Sequence, residues 1–414
     1  MIMRGLTKSV AITSTSVCLA YMVTMLSSCK ENVAPPNAMI INVKAGFVDT
    51  VTDPSLKVWF TVSDLNGNLI GSQRATSDQQ QLTFTYDDSI RDENVYLSRI
   101  TLSASTANIV CSGISFEVPR RSQFTFAPAD PISIVGVSDV TITNLSVKPY
   151  SYLFTLDAGN NGLSTFAGSS LSLEMGHIKS PDNLFIAILP TQQSTPYFKW
   201  IKNIEVQKQY QVDFNTFKAM HSHQVTLPQN DGAGYTLSGS TTGSDIHPIS
   251  YALVGGDHSI ATVFSPDTLF SQYILNLKFY KGDNQFEVNT STRAVPLSVD
   301  EPTLGLSIVK NSPADFSMTT QGTYDYAITY FGNAESNFGW VVYKPANATI
   351  NGVVPQVPPD IAKLFPSANR NDLILIKAKV FDDGSINGYS DFVKNLGTPV
   401  PQPNVFRSLT KAVQ

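Results

Sequence analysis

The chain has 414 residues, 28 of them basic and 33 acidic, for a formal net charge of −5, and 42% are hydrophobic. The acidic balance and the lack of any long basic run exclude nucleic-acid binding as an expectation, because such affinity rests on neutralising phosphates. Three cysteines are too few for a disulfide scaffold, so hydrophobic cores must hold the fold, and a chain of this length suggests roughly three or four units.

The first 28 residues form a leader. Met1 to Lys8 carry Arg4 and Lys8, and an apolar stretch follows from Val10 to Leu26. That stretch is short and rich in Ser and Thr, which fits a secretory signal better than a spanning helix. It ends in Leu26-Ser27-Ser28-Cys29. This run resembles the lipobox of bacterial lipoproteins. The resemblance implies a diacylglyceryl group on the sulfur of Cys29, cleavage before it, and a third acyl chain on its amine. One acyl chain anchors only marginally, whereas three bury enough methylenes for near-permanent attachment. The lipid bilayer is therefore the first expected partner, reached through Cys29. Lys30-Glu31 resembles the surface-export signal of Bacteroidota lipoproteins, which implies an outer-membrane, surface-exposed location. Residues 29–38, with Pro35-Pro36, read as a polar tether.

The body reads as mainly β, with tandem immunoglobulin-like or β-sandwich domains and few short helices. Leu56 to Ser63 is β-branched and aromatic, and Asp64-Leu65-Asn66-Gly67-Asn68 is a turn in which Asn-Gly supplies positive φ, so a hairpin follows. Gln81 to Tyr86 alternates cleanly, and further strand runs fill a first domain over residues 39–128. Ala127-Pro128-Ala129-Asp130-Pro131 marks a boundary to a second β-rich domain, 129–228. Within it, Leu184 to Leu189 is unbroken apolar sequence, expected as a strand buried on both faces. Asp213 to Met220 is expected as a short helix capped by Asp213. Gln229 to Gly234 is polar and glycine-containing and reads as a flexible joint. The rest, 229–414, is expected as one or two further β-rich units, with a strong hairpin over Gln272 to Val288 and one helical turn or two over Pro358 to Pro366. No fixed-period repeat is visible.

Chemistry-bearing residues are sparse. Cys18 leaves with the leader and Cys29 is consumed by lipid. Cys111 is left alone on a strand, where it reads as a small buried hydrophobe. His221, His223, His247 and His258 fall within a short stretch, but no H-E-x-x-H or cysteine pair accompanies them, so no metal is expected. Asp64 to Asn68 and Asp382 to Ser385 carry oxygen ligands that turn chemistry already explains. Serine-elbow and phosphate-loop motifs are missing, so neither a catalytic residue nor a cofactor is expected. Asp88-Ser89-Ile90 and Asp267-Thr268-Leu269 resemble the short O-glycosylation pattern of Bacteroidota.

Aromatics are the remaining lever. Trp59, Trp200 and Trp340 are the three tryptophans, and Tyr197-Phe198-Lys199-Trp200 is the densest aromatic group. A flat ring on a sandwich surface can stack on a sugar. Trp200, Tyr197, Phe198 and Trp59 are therefore the candidate ligand-binding residues, with Trp200 the foremost. The expected function is a surface binding or scaffold lipoprotein for a glycan or an envelope protein. The rivals are an adhesin or fimbria-associated component, and a degradative hydrolase.

Overall fold

The computed structural model of the protein describes residues 37–48, 55–87, 90–104, 109–128, 133–146, 149–157, 161–190, 195–243, 245–255, 259–397 and 405–413. The leader, the lipobox Leu26-Ser27-Ser28-Cys29 and nearly all of the tether lie outside the described residues, as do Asp88, Ser89 and His258. The described chain is mainly β, as its alternation predicts.

The first module contains β1 (Ala38–Val43), β2 (Lys57–Ser63), β3 (Leu69–Ala75), β4 (Gln80–Thr85), β5 (Asn94–Ala104), β6 (Ile109–Pro119) and β7 (Gln123–Phe126). The β2–β3 hairpin turns at Asn66-Gly67. Gly67 takes a φ of +80°, and Asp64 Oδ1 accepts from the amides of Asn66 at 2.9 Å and Asn68 at 2.8 Å. β1 is the centre of a three-stranded sheet, antiparallel to β4 and parallel to β7. β3-β2-β5-β6 forms the facing antiparallel sheet. Strand alternation sends Met39, Ile41 and Val43 from one sheet, and Phe60, Val62, Leu97 and Val118 from the other, into one core.

The second module repeats this plan strand for strand. It holds β8 (Gly136–Thr143), β9 (Pro149–Leu156), β10 (Asn161–Ala167), β11 (Leu171–His177), β12 (Asp182–Pro190), β13 (Tyr197–Ile204), β14 (Gln209–Asp213) and the two-residue β15 (Lys218–Ala219). β8 is antiparallel to β11 and parallel to β14, and β10-β9-β12-β13-β15 is the facing sheet. β12 lies between β9 and β13, and Leu184, Phe185, Ile186, Ala187 and Ile188 are all buried, which is why that stretch is apolar on both faces. The helix expected at Asp213 is a single 3-10 turn, Phe214–Thr216. Asp213 caps it as expected, accepting from Asn215 N at 2.9 Å, but β15 follows at once.

The third module has β16 (His221–Thr226), β17 (Gly232–Ser240), β18 (His247–Gly255), β19 (Ile260–Ser265), β20 (Gln272–Lys281) and β21 (Asn284–Thr292). β16 pairs with β19, and β18-β17-β20-β21 is the larger sheet. The seventh position shrinks to one parallel bridge, Thr226 with Ser298. Gln229 to Gly234, expected as a joint, instead leads from β16 into β17 inside this module.

The fourth module has β22 (Gly305–Ser312), β23 (Asp315–Gln321), β24 (Tyr326–Gly332), β25 (Phe338–Pro345), β26 (Thr349–Gly352), β27 (Ile374–Asp383) and β28 (Phe406–Ala412), with α1 (Pro359–Leu364) and α2 (Tyr389–Lys394). β25-β24-β27-β28 and the β23·β26 pair follow the common plan. The position held elsewhere by a segment after the sixth strand is filled here by β22, which comes first and runs antiparallel to β23.

The fourth module sits between the first and third. β25 pairs in parallel with β6, and β28 pairs antiparallel with β21, so three four-stranded sheets join into one of twelve strands. At the first of these joints, Trp340 faces Gly113 and donates from Nε1 to Ser115 Oγ at 2.7 Å. Nearby, Lys344 Nζ reaches Tyr96 Oη at 3.1 Å and pairs with Glu117. Trp59, Ile100 and Cys111 point away from the first module's own core and join the cluster that runs through the third and fourth modules. No helix among the described residues is long and apolar enough to cross a membrane.

Candidate functional site

β13 decides where the aromatic group points. Successive side chains on a strand face opposite ways, so Tyr197 turns into the second module, edge-on to Phe214 at 5.4 Å. Phe198 and Trp200 turn outward, against the third module. Trp200 is half-buried. Its ring packs on Phe185 at 6.3 Å, His247 at 5.0 Å and Phe270 at 6.1 Å. The exposed remainder of Trp200 and Phe198 lines an open groove of about 470 Å³ where the second module hands over to the third.

Lys199, Thr216 and Lys218 complete the second module's side of the groove, and His221 with Pro266 to Leu269 forms the opposite wall. Lys218 lies directly across from Phe198 in the β13·β15 register. Lys199 Nζ donates to Thr216 Oγ1 at 3.1 Å. Asp267 Oδ2 accepts from His221 Nε2 at 3.0 Å, which ties the far wall together. Thr268, in the second glycosylation-like triplet, is exposed on that wall.

Two of the four expected binding residues do not reach this groove. Tyr197 is on the wrong face of β13. Trp59 is 2% exposed, with Nε1 donating to Asp360 Oδ2 at 2.8 Å, so no sugar can stack on it. Trp340 is 1% exposed. Lys218 is an addition that the sequence does not single out, since an isolated lysine carries no motif, and Asp267 stands out there only as part of a glycosylation-like triplet, not as a groove residue.

Among the described residues, His221, His223 and His247 do not gather. His221 bonds Asp267, and His223 Nε2 lies 3.0 Å from Ser265 Oγ. His247 is fully buried, with Nε2 at 3.2 Å from both Asp157 of the second module and Asp245 of the third. Among the described residues these three are the group whose ligand atoms converge. Asp245 is already saturated. Its oxygens accept from Ser240 Oγ at 2.8 Å, Thr242 N at 2.7 Å, and Thr241 N and Oγ1 at 3.0 and 2.6 Å. Burial pushes the Asp245 carboxyl up, but the bonds from Thr241 and Thr242 outweigh it and hold the group well below the usual carboxylate range. The arrangement is an imidazole bridge between carboxylates of two modules.

Another buried pair, Ser138 Oγ and His177 Nε2 at 2.6 Å, resembles a nucleophile and base. Both are buried, at 2% and 0% exposure, so a substrate has no path to them. Cys111 is fully buried, and burial pushes its thiol up to about 12.

No protein-family model matches the chain, and no curated protein matches it. Among solved structures, a tetra-tandem repeat from the extending region of a large adhesion protein is 12% identical, covering 91% of this chain and 99% of that one at a TM-score of 0.14. A candidate adhesin from Bacteroides ovatus is 9% identical, covering 58% and 99% at a TM-score of 0.16. The Bacillus anthracis TIE protein is 7% identical, covering 95% and 75% at a TM-score of 0.15. At these identities and scores the fold is taken from the chain's own strand order. That order defines a mainly-β protein of four tandem sandwich modules on one common plan, varied at the seventh position in the third and fourth.

Proposed function

We propose that this protein is a lipid-anchored, extracytoplasmic binding protein that presents a glycan site in the groove between its second and third modules. The observation carrying this reading is the partial exposure of Phe198 and Trp200 side by side, on a floor held rigid by Phe185, His247 and Phe270. Aromatic rings fixed in this way offer a flat apolar face to a pyranose without loss of rotamer freedom. Leu26-Ser27-Ser28-Cys29 supports the anchor and an outer-membrane location, and Lys30-Glu31 supports surface exposure.

Two experiments test it. Metabolic labelling with an alkyne fatty acid should mark the wild-type chain and not Cys29→Ser, and globomycin should block its maturation. A glycan array with the purified protein should show binding that Trp200→Ala abolishes. Because Trp200 also packs between modules, Thr268→Trp, which crowds the exposed wall, serves as a second variant and should also reduce binding. Absence of labelling removes the anchor, and an array with no ligand removes the glycan site.

A structural role as an adhesin or fimbria-associated component has one observation of its own. β18 ends the twelve-stranded sheet, and its run Ile249 to Gly255 has no charge. Tyr251 is 41% and Leu253 91% exposed. Uncharged edge strands of this kind invite strand addition. Concentration-dependent assembly in ultracentrifugation, abolished by Leu253→Lys, would favour that reading.

A further inference from the structure

We infer that the groove between the second and third modules selects an acidic saccharide, one with a carboxylate on the pyranose ring, and that Lys218 makes the ion pair. This inference rests on the glycan reading and adds the ligand's charge to it.

Hydrogen bonding within the groove supplies the reason. Asp267 is engaged by His221 at 3.0 Å, and Lys199 is tied to Thr216. Lys218 is exposed and has no ion pair among the described residues. It is therefore the ammonium left over to face a ligand. Among the described residues no arginine lines the groove, which argues against the bidentate clamp that phosphate or sulfate groups usually recruit.

The β13·β15 register places that ammonium. Phe198 and Lys218 are directly cross-strand, so their side chains leave the same face about 5 Å apart. Trp200 lies two residues further along that face, about 6–7 Å from Phe198. A pyranose stacked over the Phe198–Trp200 floor would thus carry its edge substituent past Lys218. A neutral hydroxyl there gains one hydrogen bond from the ammonium, whereas a carboxylate gains that bond and the attraction between opposite charges.

Calorimetry on the detergent-solubilised full-length protein tests this with tetragalacturonate, a hyaluronan hexasaccharide and fully methyl-esterified tetragalacturonate. The ester keeps the rings and removes the charge. At least one free acid should bind, and its affinity should fall with added salt. The ester should bind at least about tenfold more weakly than tetragalacturonate if that acid binds. Lys218→Gln, at an exposed position, should leave the melting curve unchanged and weaken acid binding about tenfold without altering what the ester shows. Equal affinity for acid and ester, or binding of neutral glycans alone on the array, overturns the charge preference while the glycan reading stands. Acid binding unaffected by Lys218→Gln also overturns it. If no acidic or neutral glycan binds, both readings fail together.

Discussion

Trp340 lies so close over Gly113 that a Cβ on the glycine would stand 2.4 Å from the ring. The two residues face each other across the parallel β6·β25 joint, where the first and fourth modules become one sheet. A side chain at position 113 must push the indole off Ser115, which itself shares a 2.7 Å hydrogen bond with Ser98. Gly113→Ala should cost about 1–3 kcal/mol by overpacking, read as a lower urea midpoint.

Trp59 separates packing from hydrogen bonding. Its ring is buried, but its partner Asp360 is exposed and can turn to water when the indole N–H is lost. Trp59→Phe should therefore cost only about 0.5–1.5 kcal/mol, while Trp59→Ala should cost about 3–5 kcal/mol through the cavity. Denaturant melts of the two variants measure the difference.

Cys111 should be chemically silent. With its thiol pushed up to about 12 by burial, almost no thiolate exists in mildly alkaline buffer. Ellman's reagent should fail to react with this thiol in the folded protein carrying Cys18→Ser and Cys29→Ser, and should react promptly in guanidinium. Fast reaction without denaturant would show that the seam opens.

Asp245 predicts an acid limb in the stability curve. Its folded pKa is held below the unfolded value, so its contribution is present above about pH 4 and is lost as pH falls further toward the folded value. Melting temperatures from about pH 7 down to about pH 2 should show that loss. Asp245→Asn should lower the neutral-pH melting point and flatten the acid slope, because the asparagine has no such titration.

Local features of the fold are legible in the amino-acid order. The Asn66-Gly67 hairpin, the Lys281 to Asn284 hairpin, the two-faced burial of Leu184 to Ile188 and the short helix at Pro359 each depend on residues within a few positions of one another. The four-module repeat is not legible there. What the modules share is strand order, and a central strand can be Ala38–Val43 in one module and His221–Thr226 in another. Core chemistry tolerates many apolar sets, so no period survives in the letters. Gln229 to Gly234 misleads because turns and linkers share a composition. The β6·β25 joint is invisible because nothing in Gly113 announces a tryptophan 227 positions away.

The candidate site is legible in half. Aromatic density singles out Phe198 and Trp200, and strand alternation then separates them from Tyr197. Lys218, and the place of Asp267 on the groove wall, enter only through register and the handover between modules, and both are properties of pairing rather than of neighbouring residues.

β28 is gripped along both edges, by β21 on one side and β27 on the other. A load applied to the third module would reach the fourth through those rows of amide bonds. The third and fourth modules would then resist traction as one plate, whereas among the described residues the second module shares no strand pairing with that sheet.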